Sequence, residues 1–187
     1  MRKLKLQVQI SVDGFVGGPN GELDWMTWNM DDQLAKFINE LTDSSDTILL
    51  GKNMTDGFVT YWTNVLKDPS SPEYAFAKKM VDTPKVVFSK TLEKSLWENT
   101  TLANGDLKEE VNKLKNKPGK DIIVYGGANF VSHLIDNNLI DELNLFVNPA
   151  AIGNGLRIFN GRVDMELQKS VSYPCGIVVN TYSLRNV

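Results

Sequence analysis

The chain has 187 residues, and at that length one domain buries roughly 70% of the surface its unfolded chain exposes, so it needs no staple to hold a core. Hydrophobic residues make up 42% and charged residues 23%, an ordinary globular balance, and a formal net charge of −3 gives no basic field that would attract nucleic acid or an anionic membrane. The single cysteine, Cys175, excludes a disulfide within the chain, and with one histidine, His133, it cannot build a zinc cage; no metal is expected, and a reducing cytoplasm is the expected setting.

The first segment alternates, with Leu4, Leu6, Val8, Ile10 and Val12 on one side against Lys5, Gln7, Gln9 and Ser11. That is the period of a strand, and it lacks the continuous apolar core of a signal peptide. Asp13 to Gly21, with four glycines, a proline and an asparagine, is a loop. Asp31 or Asp32 then offers an N-cap to a helix whose Leu34, Phe37, Ile38 and Leu41 share one stripe. A short strand, Thr47 to Leu50, stops at Gly51, and a helix begun by Asn53 runs to about Thr60.

Ser71-Pro72 predicts the next helix start, with Ala75, Phe76 and Met80 as its apolar side. Strands follow at Val86 to Phe88 and Thr100 to Leu102, then a helix from about Asp106 to Asn116 with Leu107, Val111 and Leu114 on one face. Lysines 113, 115, 117 and 120 are assigned to its solvated side. Ile122 to Tyr125 is the apolar run of a strand buried on both faces, Gly126-Gly127 ends it, and a helix spans Ala128 to Asp136. Glu142 to Asn148, Met165 to Tyr173 and Ile177 to Leu184 are strands, with Pro174-Cys175-Gly176 as a hairpin turn. Strands and helices alternate early and strands run together late. The expectation is one α/β domain over 1–187 in three layers, a mostly parallel central sheet with antiparallel C-terminal edge strands.

Three strand ends carry small or polar residues where open α/β sheets bind ligands. At Val124 to Phe130 two glycines allow close backbone approach to an anion, and the following helix turns its positive end toward it. Gly51-Lys52-Asn53-Met54 repeats the pattern, and Phe88-Ser89-Lys90-Thr91 ends a strand in hydroxyls and a lysine. Taken alone, the glycine pair is equally a tight strand-to-helix turn, and either lysine a solvated surface charge.

The chain resembles the dihydrofolate-reductase-like superfamily, and within it the stand-alone proteins similar to the reductase domain of the bifunctional riboflavin-biosynthesis deaminase/reductase. The resemblance rests on Ser11-Val12-Asp13-Gly14-Phe15, Gly51-Lys52-Asn53-Met54 with Tyr61-Trp62, Val87 to Leu92, Tyr125-Gly126-Gly127-Ala128, Leu139 to Leu143, and Pro149 with Gly153 to Phe159. It implies an oxidoreductase that uses NADPH to reduce a small pterin-like or pyrimidine-like molecule. By the same resemblance Gly126, Gly127, Ala128, Asn129 and Phe130 contact the cofactor pyrophosphate. Gly51, Lys52, Met54, Phe88, Ser89 and Lys90 lie along its phosphates and adenosine end. The loop from Asp13 to Asn20 borders the nicotinamide, and a homodimer is implied. In one place the pattern departs: related chains read Gly-Arg-x-Thr where this one has Gly51-Lys52-Asn53-Met54, which keeps a charge but loses a planar fork and a hydroxyl.

Hydride reduction of a C=N or C=O bond also needs a proton, and Asp24, beside Trp25, is the candidate donor; a loop Asp bonded to local backbone is the competing reading. Trp25, Trp28 and Trp62 are candidates to line a flat pocket, as against filling a core. His133 is expected near the surface and Cys175 to be structural. The competing function is a nucleotide-binding module that kept the fold without turnover.

Overall fold

The first strand decides how the two sides of the sheet are filled. In the computed structural model, which describes residues 1–185, β1 (Leu4–Ser11) presents Leu4, Leu6, Val8 and Ile10 to one face, all buried in a single apolar cluster. The rest of that cluster comes from α4 (Leu107–Lys115) through Val111 and from α5 (Ala128–Asp136) through Val131, Leu134 and Ile135. The opposite face is covered by α1 (Asp32–Asp43), α2 (Lys52–Val65) and α3 (Tyr74–Asp82). There Leu41 and Met80 pack on Ile48, Leu50, Val87 and Ile123 of the sheet, and Leu34 and Ile38 pack on Phe146 and Val179. Helices on both faces make the three layers the sequence predicts.

The remaining strands are β2 (Ser45–Gly51), β3 (Lys85–Phe88), β4 (Thr100–Ala103), β5 (Asp121–Val124), β6 (Glu142–Asn148), β7 (Met165–Ser172) and β8 (Val178–Leu184). They form one sheet in the order β4-β3-β2-β5-β1-β6-β8-β7. From β4 to β6 every pairing is parallel, and β8 joins antiparallel to β6 and β7. From β1 the chain crosses through α1 to β2 on one side, whereas from β5 it crosses through α5 to β6 on the other. β1 and β5 are neighbours whose outgoing connections diverge, the arrangement that opens a crevice at the carboxyl ends of such sheets.

Several elements differ from the sequence reading. β1 ends at Ser11, and Val12, assigned to its apolar side, is 65% exposed where the chain turns off toward the loop. Of the two aspartates the sequence offered, Asp31 caps α1, accepting from the amides of Gln33 and Leu34. α2 begins one residue earlier than Asn53, on Gly51 as N-cap, and continues to Val65, because no helix breaker follows Thr60. α3 starts at Tyr74; Ser71-Pro72 forms the turn leading into it, closed by Tyr74 N donating to the Ser71 carbonyl at 3.0 Å. Lys115 is not solvated: its side chain is buried and pairs with Asp141 at 2.6 Å, and Asp141 also accepts from Leu4 N. The pair pins the start of β1. His133 is exposed, and the amide of Cys175 donates to Asp31, tying the C-terminal hairpin to the α1 cap.

No helix among the described residues is long and apolar enough to cross a membrane, and no group of three or more His, Cys, Asp or Glu among them is placed to hold a metal.

Candidate cofactor and substrate site

The three strand ends singled out in the sequence lie side by side, since β3, β2 and β5 are consecutive in the sheet. Gly51 pairs with Phe88, and Leu49 with Val124, so Gly51, Phe88 and Gly126 end their strands at one level. Gly126 has φ +144° and Gly127 φ +84°, conformations that L side chains rarely adopt, so the turn into α5 requires both glycines. Gly127 is the N-cap of α5 and Gly51 the N-cap of α2, and at neither helix does a side chain accept from the first-turn amides. α1 and α4, which follow β1 and β4, are instead closed by Asp31 and Asp106. Two adjacent helices thus leave their first N–H groups free at one sheet edge, which suits an extended anion.

The floor between these turns is apolar. Phe130 lies against Phe88 with ring centroids 5.1 Å apart, and Cβ atoms built on Gly126 and Gly127 would meet Met54 and Phe130 at ordinary contact distances. Gly51, Met54, Phe88, Gly126, Gly127, Ala128, Asn129 and Phe130 are therefore brought together. The polar residues at the β3 end have local duties. Ser89 is buried and its hydroxyl accepts from the amides of Thr91 and Leu92; Lys90 donates to the carbonyls of Asn104 and Gly105. Lys52 is exposed and reaches across to Thr91 Oγ1 at 2.7 Å. Beside it a hollow of about 340 Å³ is lined by Lys52, Asn53, Asp56, Leu92, Leu96 and Trp97.

At the end of β1 the loop is clamped to the segment after β6. The Asp13 carboxylate accepts from Ser11 Oγ at 2.6 Å, from Gly153 N at 2.7 Å and from Ile152 N, and these bonds, the Ser11 hydroxyl foremost, hold its pKa down to about 2. Gly17 bridges Leu156, and the Arg157 guanidinium rests over the Phe15 ring at 4.1 Å. Asp13, a candidate pocket residue, clamps the loop, its oxygens engaged by the Ser11 hydroxyl and the 152–153 backbone. Asp24 is exposed on the loop, Trp25 is half-buried with its indole N–H on the Glu22 carbonyl, and Trp28 is 59% exposed. Trp62 is turned into the core between α2 and α3, edge-on to Phe58, Tyr61 and Phe76.

The sequence reading missed the face of β1 that looks toward α1. Period-two alternation set Gln7 and Gln9 on a polar side, which is the ordinary sign of solvent, yet α1 and its neighbours cover that side. Gln9 Oε1 accepts from Asn148 at 2.7 Å, and Asn148 Oδ1 accepts from Thr27 N at 2.8 Å, which seats the loop over the β1 and β6 ends. At the β5 end the Tyr125 hydroxyl meets Thr42 Oγ1 at 3.0 Å, and its ring stacks on Phe58. Burial pushes the Tyr125 phenol up to about 12, so it is neutral and protonated at physiological pH. The only signal in the sequence was the density of amides at alternate positions.

Comparison with known proteins bears on this arrangement. The family model described as the RibD C-terminal domain matches residues 2–179. The uncharacterized protein YyaP of Bacillus subtilis (strain 168) is 33% identical over 184 residues, 97% of this chain and 94% of its own. Among solved structures, the diaminohydroxyphosphoribosylaminopyrimidine deaminase/5-amino-6-(5-phosphoribosylamino)uracil reductase of Thermotoga maritima superposes with a TM-score of 0.69 at 16% identity, over 98% of this chain and 57% of that one. The dihydrofolate reductase of Enterococcus faecalis, complexed with NADP(H), gives 0.63 at 17% identity over 98% and 97%. The fold is dihydrofolate-reductase-like.

Proposed function

Given that the chain belongs to the RibD C-terminal domain family, we propose that it is an NADPH-dependent reductase of a small heteroaromatic substrate. The observation that carries this reading is the pair of glycine-capped helix starts, α2 and α5, at the adjoining ends of β2 and β5. The residues there fit a dinucleotide. First-turn amides of α5 would hold a pyrophosphate, Gly126 and Gly127 would keep Cβ atoms out of its path, and Phe88, Met54 and Phe130 would supply an apolar floor. Lys52, now on Thr91, would hold a phosphate of the adenosine end, beside the hollow that reaches Trp97. Bound NADPH would supply the hydride.

The substrate occupies the crevice between the β1 and β5 ends, beneath the 13–31 loop. There the protein's part is to orient a flat ring, to exclude water, and to hold a proton source on Asp24 of the loop or a water beside it. The protein works in the cytoplasm as a homodimer.

A fluorescence titration with NADPH and NADH tests the reading. Saturable binding with preference for NADPH is expected, and Lys52→Ala should weaken NADPH more than NADH. Each lost charge-assisted contact is worth about 1.5–3 kcal/mol. Absence of NADPH binding by the folded protein overturns the proposal.

A further inference from the structure

The opposite edge of the sheet holds a second hollow, of about 560 Å³, at the amino ends of β2, β3 and β4. Arg2, Thr47, Val86, Thr101, Leu114 and Lys117 are among the residues that line it. Ile48 is level with Lys85, and Val86 with Thr101, so alternation sets Thr47, Val86 and Thr101 on the α4 face of the sheet, where Leu114 and Lys117 close the hollow from the end of that helix. Arg2 is a buried arginine, its side chain only 7% exposed. Nε donates to the Lys120 carbonyl, and Nη2 donates to Asp46, to Thr47 Oγ1 at 2.8 Å and to the Asp121 carbonyl at 3.4 Å. Nη1 has no hydrogen-bond partner among the described residues, and it is not one of the atoms sealed inside without a partner. Arg2 and Thr47 both line the hollow and Thr47 Oγ1 holds Nη2, so the guanidinium tip that carries Nη1 stands at its wall. A buried guanidinium is stable when its donors are filled, and those of Nη1 are left to whatever enters the hollow.

The lining decides what that is. It includes the cationic residues Arg2, Lys85 and Lys117 and no acid, in a chain whose net charge is −3. Lys85 is already engaged: its Nζ turns to the other face of the sheet and donates to the carbonyls of Val81 and Thr83 at 2.8 Å. Lys117 is exposed, and among the described residues its ammonium has no ion-pair or hydrogen-bond partner. The Asp46 carboxylate is outside the lining, held by Arg2 Nη2 and by the Lys120 amide. Next to the two available cations the wall is apolar, formed by Pro84, Val86 and Leu114. An inorganic anion would gain nothing from that wall, and a neutral ring nothing from the cations. We propose that this hollow is a second ligand site, separate from the crevice at the carboxyl ends of the strands, and that it takes a small organic carboxylate. Arg2 Nη1 and Lys117 hold the carboxylate oxygens, and the apolar body lies on Val86 and Leu114. The site does not depend on the reductase reading.

The test titrates the full 15N-labelled chain with benzoate, and with benzamide and inorganic phosphate as comparisons. It follows the backbone amides of Val86 and Thr101 and the Nε–H signal of Arg2, assigned by its loss in Arg2→Lys. Benzoate is expected to shift all three saturably, and benzamide and phosphate to bind about tenfold more weakly or not at all. Lys117→Glu changes an exposed side chain and should stay folded while losing about tenfold in benzoate affinity. Arg2→Lys should lose as much; if it does not fold, because the buried contacts with Asp46 and Thr47 are gone, Lys117→Glu and the Arg2 signal of the wild type decide the matter. The absence of a saturable shift at Arg2, benzamide or phosphate binding as tightly as benzoate, unchanged affinity in Lys117→Glu, or shifts confined to Gly126, Gly127 and the first turn of α5 would each overturn the proposal.

Discussion

Two glycines of the α2 segment make opposite predictions for the same chemical change. Gly51 has φ −78° and ψ 144°, a conformation open to any residue, so Gly51→Ala carries no backbone strain. A Cβ there, however, would lie 2.8 Å from Phe130 Cβ and 3.2 Å from its Cγ. Relief requires the first turn of α5 to withdraw by roughly half an ångström, while Val131 N holds that turn to the Gly127 carbonyl and Phe130 is packed on Phe88. Overpacking of this kind costs about 1–3 kcal/mol, with a few tenths more for replacing a glycine N-cap by alanine. Gly57, inside α2, has nothing within 4 Å of its would-be Cβ. Gly57→Ala should therefore stabilise by about 0.5–1 kcal/mol through helix propensity and the lost freedom of the unfolded chain. At this chain length each kcal/mol moves Tm by about 2–4 °C, so thermal and urea unfolding resolve the two variants on opposite sides of wild type. Because the moving turn is the proposed pyrophosphate seat, Gly51→Ala should also weaken NADPH, and Gly57→Ala should not. Shifts of the same sign, or a neutral Gly51→Ala, would refute the steric account.

Further expectations concern the turn, the clamps and the assembly. Gly127→Val meets both the +84° φ and the proposed phosphate path: the apo protein should lose about 1–2 kcal/mol and NADPH binding should disappear, and a folded variant with wild-type affinity would remove the central functional claim. Lys115→Ala breaks the buried pair with Asp141, but Asp141 keeps its bond from Leu4 N and is partly hydrated, so about 1.5–3 kcal/mol is expected in urea unfolding; no change would show the pair to be inert. The pKa of Asp13 is lowered from 3.8 to about 2, so its contribution is complete above the unfolded value and is lost as pH falls through the folded one. Stability of Asp13→Asn should therefore differ from wild type at neutral pH and converge with it toward pH 2; a gap that persists in acid contradicts this. The β7 edge is long and largely exposed, and sedimentation at micromolar concentration should show a dimer, whereas a ~21 kDa species alone would exclude a standard-sized stable interface.

Most of the architecture was legible because its signals are local. The glycine pair at 126–127, the apolar run of β5 and the i, i+3, i+4 stripe of α1 each specify their element without reference to distant chain, and the order of elements then gave the mixed sheet. The errors arose where a distant partner decides. Lys115 reads as a surface lysine until Asp141 is placed beside it, and the bonds of Asp13 to the 152–153 backbone cannot be read at all until that distant segment is folded onto it. The local bonds of Ser89 and Lys90 were likewise not legible, because their partners, two to fifteen residues away, belong to a turn and a loop that have no periodicity to read. Gln7 and Gln9 show the limit of alternation: it tells which residues share a face, not whether that face meets water or a helix.

The position of β1 also has a consequence for how the chain is made. It precedes the other seven strands in the sequence, yet its hydrogen-bonding neighbours are β5 and β6, with Leu4 opposite Ile122 and Lys5 opposite Glu142. Until about two thirds of the 187 residues have left the ribosome, both edges of an apolar strand have no partner. Early collapse is then confined to the β2–β3–β4 side, and completion waits on long loop closures, a topology that folds slowly and exposes a sticky segment meanwhile. Nascent chains arrested before β5 should accordingly depend on chaperone capture, and those arrested beyond β6 much less.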